Sequence, residues 1–231
     1  MHNLPQYHFP VRARFGRLVP KTRIYEKIRA GHRLKQQFIT QVDKLIWEYK
    51  LAPETINLPA AGSIKEIQVF DVYLKEGISD LDEGILEAVD KAIPHPIYYR
   101  IFREKRVKCA MTWKRLHEGN RRKWVNGDYY RSNWRLASRL EKLPSKLPMA
   151  LDLAGLAESL IRRLITEPAV KGESLEQQLD RMTRLKMLQM QASRLQANVK
   201  RERQFNRKVE LHGELKRLQQ DIEKLRGDQH G

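Results

Sequence analysis

The stretch VDKAIPHPIYYRIF (89–102) constrains the fold more than any other part of the chain. A residue that precedes proline avoids helical geometry, so a helix running into Pro94 has to stop at Ile93. Pro96 extends His95 in the same way and opens a strand whose first N–H is dispensable. IYYRIF (97–102) is rich in strand formers. The preceding SDLDEGILEAVDKA (79–92) places Leu81, Ile85, Leu86 and Val89 on one helical face. Ser79 is positioned to cap that helix by accepting from the N–H of Asp82, whose charge suits the first turn. IKEIQVFDVYLK (64–75) reads as a strand, apolar enough to be central. Strand, helix and strand in succession imply a parallel pair. VKCAMTWKR (107–115) then pairs with 97–102 through REKR (103–106), and Asn126-Gly127 signals a second turn between RRKWV and DYYRSNW.

The remaining segments fit around this unit. Leu34, Phe38, Val42, Leu45, Ile46 and Tyr49 recur at three- and four-residue steps, which predicts one helix over 30–50. FGRLVPKTRIYEK (15–27) reads as an irregular arm or short edge strand, and PETINLPAAGS (53–63) and LPSKLP (143–148) as connections. Leu153, Leu156, Leu160, Ile161 and Leu164 form the apolar face of a helix over 152–165. The expected fold class is α/β, a mixed sheet with flanking helices, followed by a long C-terminal coiled-coil helical arm. The expected organisation is a basic globular domain over 1–165, a linker TEPAVKG over 166–172 and the arm over 173–231. In the arm, Leu188, Ala192, Leu195 and Val199 keep heptad steps, as do Leu211, Leu215, Leu218, Ile222 and Leu225. The two runs are out of phase, so a bend or register break is expected within 202–213. Such a seam needs cover from an antiparallel hairpin, a second copy or another protein.

Charge narrows the function. Of the 231 residues 41% are hydrophobic and 32% charged, so a core is affordable only inside a very polar exterior. The net charge of +17 is unevenly spread: +8 over 1–50, −6 over 51–99, +11 over 100–146 and +4 over 173–231. Clustered positive charge points to a polyanion, with nucleic acid first and an acidic protein as the alternative. Candidate nucleic-acid contacts are Arg12, Arg14, Arg17, Lys21 and Arg23 in the N-terminal arm, and Arg121, Arg122, Lys123, Trp124, Arg131 and Arg135 in the second basic block. Trp124, Tyr129, Tyr130 and Trp134 there suit either base stacking or the core face of a strand. No apolar run reaches the roughly 18 residues of a membrane span. MHNLPQYHFPVRARF lacks the basic-then-apolar pattern of a signal peptide. A cytoplasmic location is expected.

Catalytic signatures are few. GxxxxGK[ST], GxGxxG and GxSxG do not occur. The seven histidines form no HxH, HxxxH or HExxH pair, and the single cysteine, Cys109, gives neither an internal disulfide nor a multi-cysteine zinc site. His95 has no partner at ligand spacing and reads as part of a helix-to-strand junction. No metal and no cofactor is expected. A restriction-type nuclease would set carboxylates and a lysine around magnesium on neighbouring strands. Asp71 and Lys75, four apart on one strand, share a face and are the catalytic candidates for that reading. The Glu-x-Lys at Glu214-Leu215-Lys216 lies in the arm, where it does not easily meet Asp71.

LVPKTRIYEK (18–27), IWEYKLAPETINL (46–58), IQVFDVYLK (67–75), VDKAIPHPIYYRIF (89–102), AMTWKR (110–115) and SNW followed by LP (132–134, 143–144) together resemble a bacterial domain family of unknown function. The resemblance covers about residues 15–165 and is most specific at VDKAIPHPI. Members of that family look like accessory proteins encoded beside helicases and DNA methyltransferases of restriction and phage-defence type. The resemblance implies a non-catalytic accessory role in a DNA-handling complex, with DNA preferred to RNA. The implied partner is a helicase or methyltransferase subunit, with self-association through 173–231 as a further expectation. It supplies no catalytic residues. A metal-dependent nuclease and a protein–protein adaptor without nucleic-acid contact are the alternatives.

Overall fold

The computed structural model describes residues 7–117, 119–137 and 145–227, with side chains for all of these except 117, 120–123 and 227. The chain divides into two compact units, Met1–Ile165 and Thr166–Gly231.

In the first unit a short strand, β1 (Tyr7–His8), precedes the main sheet. The main sheet holds β2 (Arg14–Leu18), β3 (Val42–Leu51), β4 (Ile67–Leu74), β5 (Ile97–Arg103), β6 (Arg106–His117) and β7 (Asn120–Arg131), side by side in chain order. A two-residue strand, β8 (Arg135–Leu136), pairs with the start of β6. β9 (Ser145–Lys146) pairs with β1 outside this sheet. β4 and β5 run parallel, and the other neighbours in the main sheet are antiparallel. Three helices, α1 (Lys21–Ile28), α2 (His32–Gln41) and the crossover α4 (Glu83–Ala92), share one core with the sheet. Ile24, Phe38, Ile85, Leu86 and Val89 meet Val42, Leu45, Phe70, Val72, Tyr99 and Ile101 there. A four-residue helix, α3 (Pro53–Ile56), lies in the β3–β4 connection. On the opposite face the Tyr7 ring packs on Tyr98, and α5 (Leu153–Arg162) buries Leu153, Leu156, Leu160 and Ile161. Asp152 starts α5 by accepting from the N–H of Gly155 at 2.8 Å.

The mixed sheet with flanking helices is the expected one, but four local expectations are corrected. The single helix over 30–50 is two elements, α2 and β3. In β3, Val42, Leu45 and Trp47 face the helices and Leu51 is buried as well, while Asp43 and Lys44 are exposed. The register shift between Val42 and Lys44 puts Val42 and Leu45, three residues apart, into one core, and that step reads as helical. Residues 21–28 of the supposed irregular arm form α1, because Ile24 and Ile28 reach the core from one face. Ser79 is not the cap of α4. Asp82 is, accepting from the Gly84 N–H at 2.8 Å while Gln37 and Gln41 of α2 hold it in place. Asn126-Gly127 lies inside β7 and not at a turn, for His117 pairs with Asn120 and the reversal falls between them. Thr112 pairs with Tyr129 and Lys114 with Asn126, so β7 carries one extra residue. Asn-Gly is used for a β-bulge, fixed by a 2.8 Å hydrogen bond from the Thr112 hydroxyl to the Gly127 carbonyl.

The second unit holds two long helices, α6 (Leu175–Arg201) and α7 (Phe205–Gly227), that pack on each other. Ser174 and Gln177 exchange side-chain-to-backbone hydrogen bonds at the start of α6. The break falls at 202–204, and the helices return antiparallel: Arg181, near the start of α6, donates to the carbonyl of Leu225, near the end of α7, at 3.5 Å. Leu185 and Val199 of α6 and Leu211, Leu215 and Ile222 of α7 are buried. Among the described residues no helix is long and apolar enough to cross a membrane.

One buried pair joins α4 to the sheet. The Lys114 ammonium lies 2.8 Å from Asp90, and neither side chain is exposed to solvent. Lys114→Met leaves Asp90 buried without its counter-ion and is expected to cost about 3–5 kcal/mol. Urea denaturation of K114M, D90N and the double variant checks this, and the double variant should lose clearly less than the sum of the singles.

Candidate functional site

The two groups of candidate basic residues end up at opposite edges of the main sheet. Arg14 and Arg17 lie on β2, which forms one edge, and Arg12 lies in the turn before it. Arg131 lies on β7 and Arg135 on β8, at the other. Five strand spacings separate β2 from β7, about 24 Å. Arg12, Arg14, Arg17 and Arg23 are exposed. Among the described residues only Arg14 of these four pairs with a carboxylate, Glu48 at 3.1 Å, while Arg17 lies over the Phe15 ring. Lys21 turns inward instead. It donates to the carbonyls of Phe38 and Val42 and so caps the end of α2, and burial lowers its ammonium below the ordinary lysine range.

Of the second group, Arg131 is engaged within the fold. Arg131 bonds to Glu83 at 2.7 Å and lies over the Tyr129 ring. Tyr129 donates its hydroxyl to Asp90, which makes it a core residue. Trp134 is flanked by Arg103 and Lys108, and Lys108 bonds to Asp80. Trp124 is half-buried and Arg135 is exposed. Arg121, Arg122 and Lys123 have their backbone in β7, but their side chains lie outside the described residues.

The nuclease candidates do not come together. Both Asp71 oxygens accept from Arg100 of β5, each at 2.6 Å. Burial pushes the Asp71 carboxyl up, and the Arg100 guanidinium opposes this. Lys75 lies beyond the end of β4, exposed, with its N–H on the Gln41 carbonyl. A Glu-x-Lys that sequence reasoning missed lies in β3, at Glu48-Tyr49-Lys50. Assigning 30–50 to a helix hid it, since residues two apart on a helix do not share a face. On a regular strand they would. Here the register shifts between Trp47 and Tyr49, which separates them. Glu48 sits near Asp71 and bonds Arg14. Lys50 pairs in register with Gln68 and reaches Glu54 at 3.0 Å and Glu66 at 3.3 Å.

His95 joins this second cluster. Its Nε2 lies 3.6 Å from Glu66, which also accepts from Gln68 at 2.7 Å. The spacing of titratable types gave no sign of this, because the partners come from β3 and from the residues leading into β4. No trio of His, Cys, Asp or Glu among the described residues is arranged to hold a metal ion. Cys109 is buried, and burial pushes its thiol up to about 11, so it is not a nucleophile at neutral pH. An apolar groove of about 590 Å³ lined by Pro10, Ile56, Leu58, Pro148 and Leu156 carries no titratable side chain. Among the described residues the arrangement is therefore one of exposed cations and ion pairs.

A family model described as a domain of unknown function (DUF4391) matches residues 8–222. Neither the curated proteins nor the solved structures contain a match.

Burial lowers the His95 pKa against the pull of Glu66, with Lys114, Lys50 and Lys65 acting in the same direction as burial. An imidazole held below its unfolded value of about 6.5 stabilises the fold above that pH and loses this contribution as pH falls through the folded value. Wild-type urea midpoints should drop below about pH 6.5, and His95→Asn should flatten that part of the curve. An unchanged acid limb in H95N would reassign the effect to other groups.

Proposed function

We propose that this chain, which belongs to the DUF4391 family, is a non-catalytic accessory subunit that binds nucleic acid through the cationic β2 edge. The observation that carries this reading is the group of exposed arginines at and around an open sheet edge, Arg14 and Arg17 on β2, Arg12 just before it and Arg23 on α1 after it, three of them without a carboxylate partner among the described residues. Guanidinium groups match phosphate geometry and remain charged at any working pH. DNA is preferred to RNA in this reading, on the resemblance to proteins encoded beside helicases and methyltransferases. The setting is a cytoplasmic DNA-defence complex, with one of those subunits as the partner. The paired helices of the second unit act as a coiled coil whose outer face, with Met187 and Met190 exposed, docks that partner. The satisfied state of Asp71 favours this reading over a nuclease.

The logarithm of the duplex DNA binding constant should fall linearly with the logarithm of salt, because phosphate contacts release counterions. Replacing Arg12, Arg14 and Arg17 by Gln should flatten that slope by about 2–3, near 0.9 for each lost phosphate contact. Fluorescence anisotropy across a salt series checks both, and absence of binding at low salt would leave the adaptor alternative. Plasmid incubated with magnesium or manganese should remain intact. Cleavage abolished by Asp71→Asn would replace the non-catalytic reading with the nuclease.

A further inference from the structure

The arm's charge is concentrated at one place. Residues 173–231 carry 13 basic and 9 acidic side chains. Five of the basic ones, Lys200, Arg201, Arg203, Arg207 and Lys208, and one acidic one, Glu202, lie between 200 and 208. The rest of the arm balances at eight and eight. The structure turns this local excess into the tip of the helical pair, since 202–204 is the break between α6 and α7. All five cations are exposed, and only Arg207 has a carboxylate partner among the described residues, Glu210 at 2.7 Å. Glu202 is turned to the backbone, accepting from the N–H groups of Arg203 and Gln204. In the middle of the cations stands Phe205, 78% exposed, with Val209 one turn on at 55%. Phenylalanine contributes to neither the helix seam nor the turn there, and leaving its ring in water forgoes its burial energy.

We infer that the tip of this helical pair is a contact surface for unpaired nucleic acid, with Phe205 stacking on a base and the surrounding cations on the phosphates. The inference rests on the reading that the chain binds nucleic acid, and adds a second, strand-selective site to it. Bases have exposed faces only where they are unpaired, and an aromatic ring beside cationic groups is the arrangement that binds single strands without reading sequence. Three of the five cations are arginines, which suit phosphate. A second copy would bring five cations against five, so self-association through the tip is disfavoured. One ring and one valine make too small an apolar face to anchor the tip in a lipid surface.

The test uses the full chain, a labelled oligothymidylate, a blunt duplex and phosphatidylglycerol vesicles. Phe205→Ala should weaken oligothymidylate binding about tenfold and leave duplex binding unchanged, and Phe205→Trp should retain it. Combined replacement of Arg201, Arg203 and Lys208 by Gln should weaken single-strand binding and reduce its salt dependence. Equal oligothymidylate affinity of wild type and F205A would overturn the inference while leaving duplex binding through the β2 edge standing. Vesicle binding that F205A abolishes, with oligothymidylate binding unaltered, would reassign the tip to membranes. Failure of the wild type to bind either nucleic acid would end both readings.

Discussion

The Lys114 ammonium is the group on which the rest of the globular unit depends. An ion taken out of water costs several kcal/mol unless its protons and charge are fully met, and Lys114 is completely buried. It is met by the Asp90 carboxylate and by the carbonyls of Asp90, Ile93 and His95, at 3.0, 2.6 and 2.7 Å. The requirement is mutual. The last carbonyls of α4 find no continuing helix, since Pro94 and Pro96 have no N–H to offer. A cation supplied from β6 closes that end of the helix and holds the PHP junction against the sheet. Asp90 in turn accepts from the hydroxyls of Tyr99 on β5 and Tyr129 on β7. The crossover helix and three strands thereby share one polar network inside an apolar core. Burial pushes Asp90 up and Lys114 down, while each partner opposes the other's shift. Removing one member of such a network leaves the others unsatisfied.

A second pair plays a similar part on the opposite face. Asp71 and Arg100 face each other in register across the parallel β4–β5 pair. Arg100 also lies over the rings of Phe9, Tyr49 and Phe102. Both Asp71 oxygens are held by one guanidinium, so a metal ion there would have to compete with Arg100 for the carboxylate. The β3 bulge then decides the chemistry of Glu48-Tyr49-Lys50. It sends the carboxylate towards Asp71 and the lysine towards Glu54, Glu66 and His95. One inserted residue divides what a regular strand would have presented as one constellation.

Much of this was legible in the sequence where a single covalent constraint decided the outcome. Pro94 fixed the end of α4 at Ile93, and Pro96 the start of β5 at Ile97. The parallel pair followed from them. What was not legible depended on cover supplied from elsewhere in the chain. β3 reads as a helix because a register shift against β4 lets Val42 and Leu45, a helical step apart, enter one core. The cap of α4 is Asp82 rather than Ser79 because Gln37 and Gln41, 45 and 41 residues earlier, hold it. Asn-Gly has the same local preference for unusual backbone in a turn and in a bulge, so only the β6 partner distinguishes them. The candidate site divides in the same way. The exposed arginines of β2 were readable as charge, whereas Lys21, at the same apparent standing, is drawn inward by two carbonyls that the sequence does not mark.

The charge distribution acquires a different meaning once the pairs are known. Arg100, Lys108, Lys114 and Arg131 all belong to the second basic block, and their partners Asp71, Asp80, Asp90 and Glu83 all belong to the acidic block 51–99. These two blocks therefore neutralise each other in part within the fold, as neighbouring strands and the crossover helix require. Among the described residues the N-terminal block is less fully paired, with Glu48 for Arg14 and Glu54 and Glu66 for Lys50, and of the five cations at the tip of the arm only Arg207 has a carboxylate partner. A field strong enough to draw a polyanion comes from charge that the protein does not cancel itself. Among the described residues, the largest block by count is the one whose charge the fold cancels most, whereas most of the exposed cations at the β2 edge and the tip keep theirs.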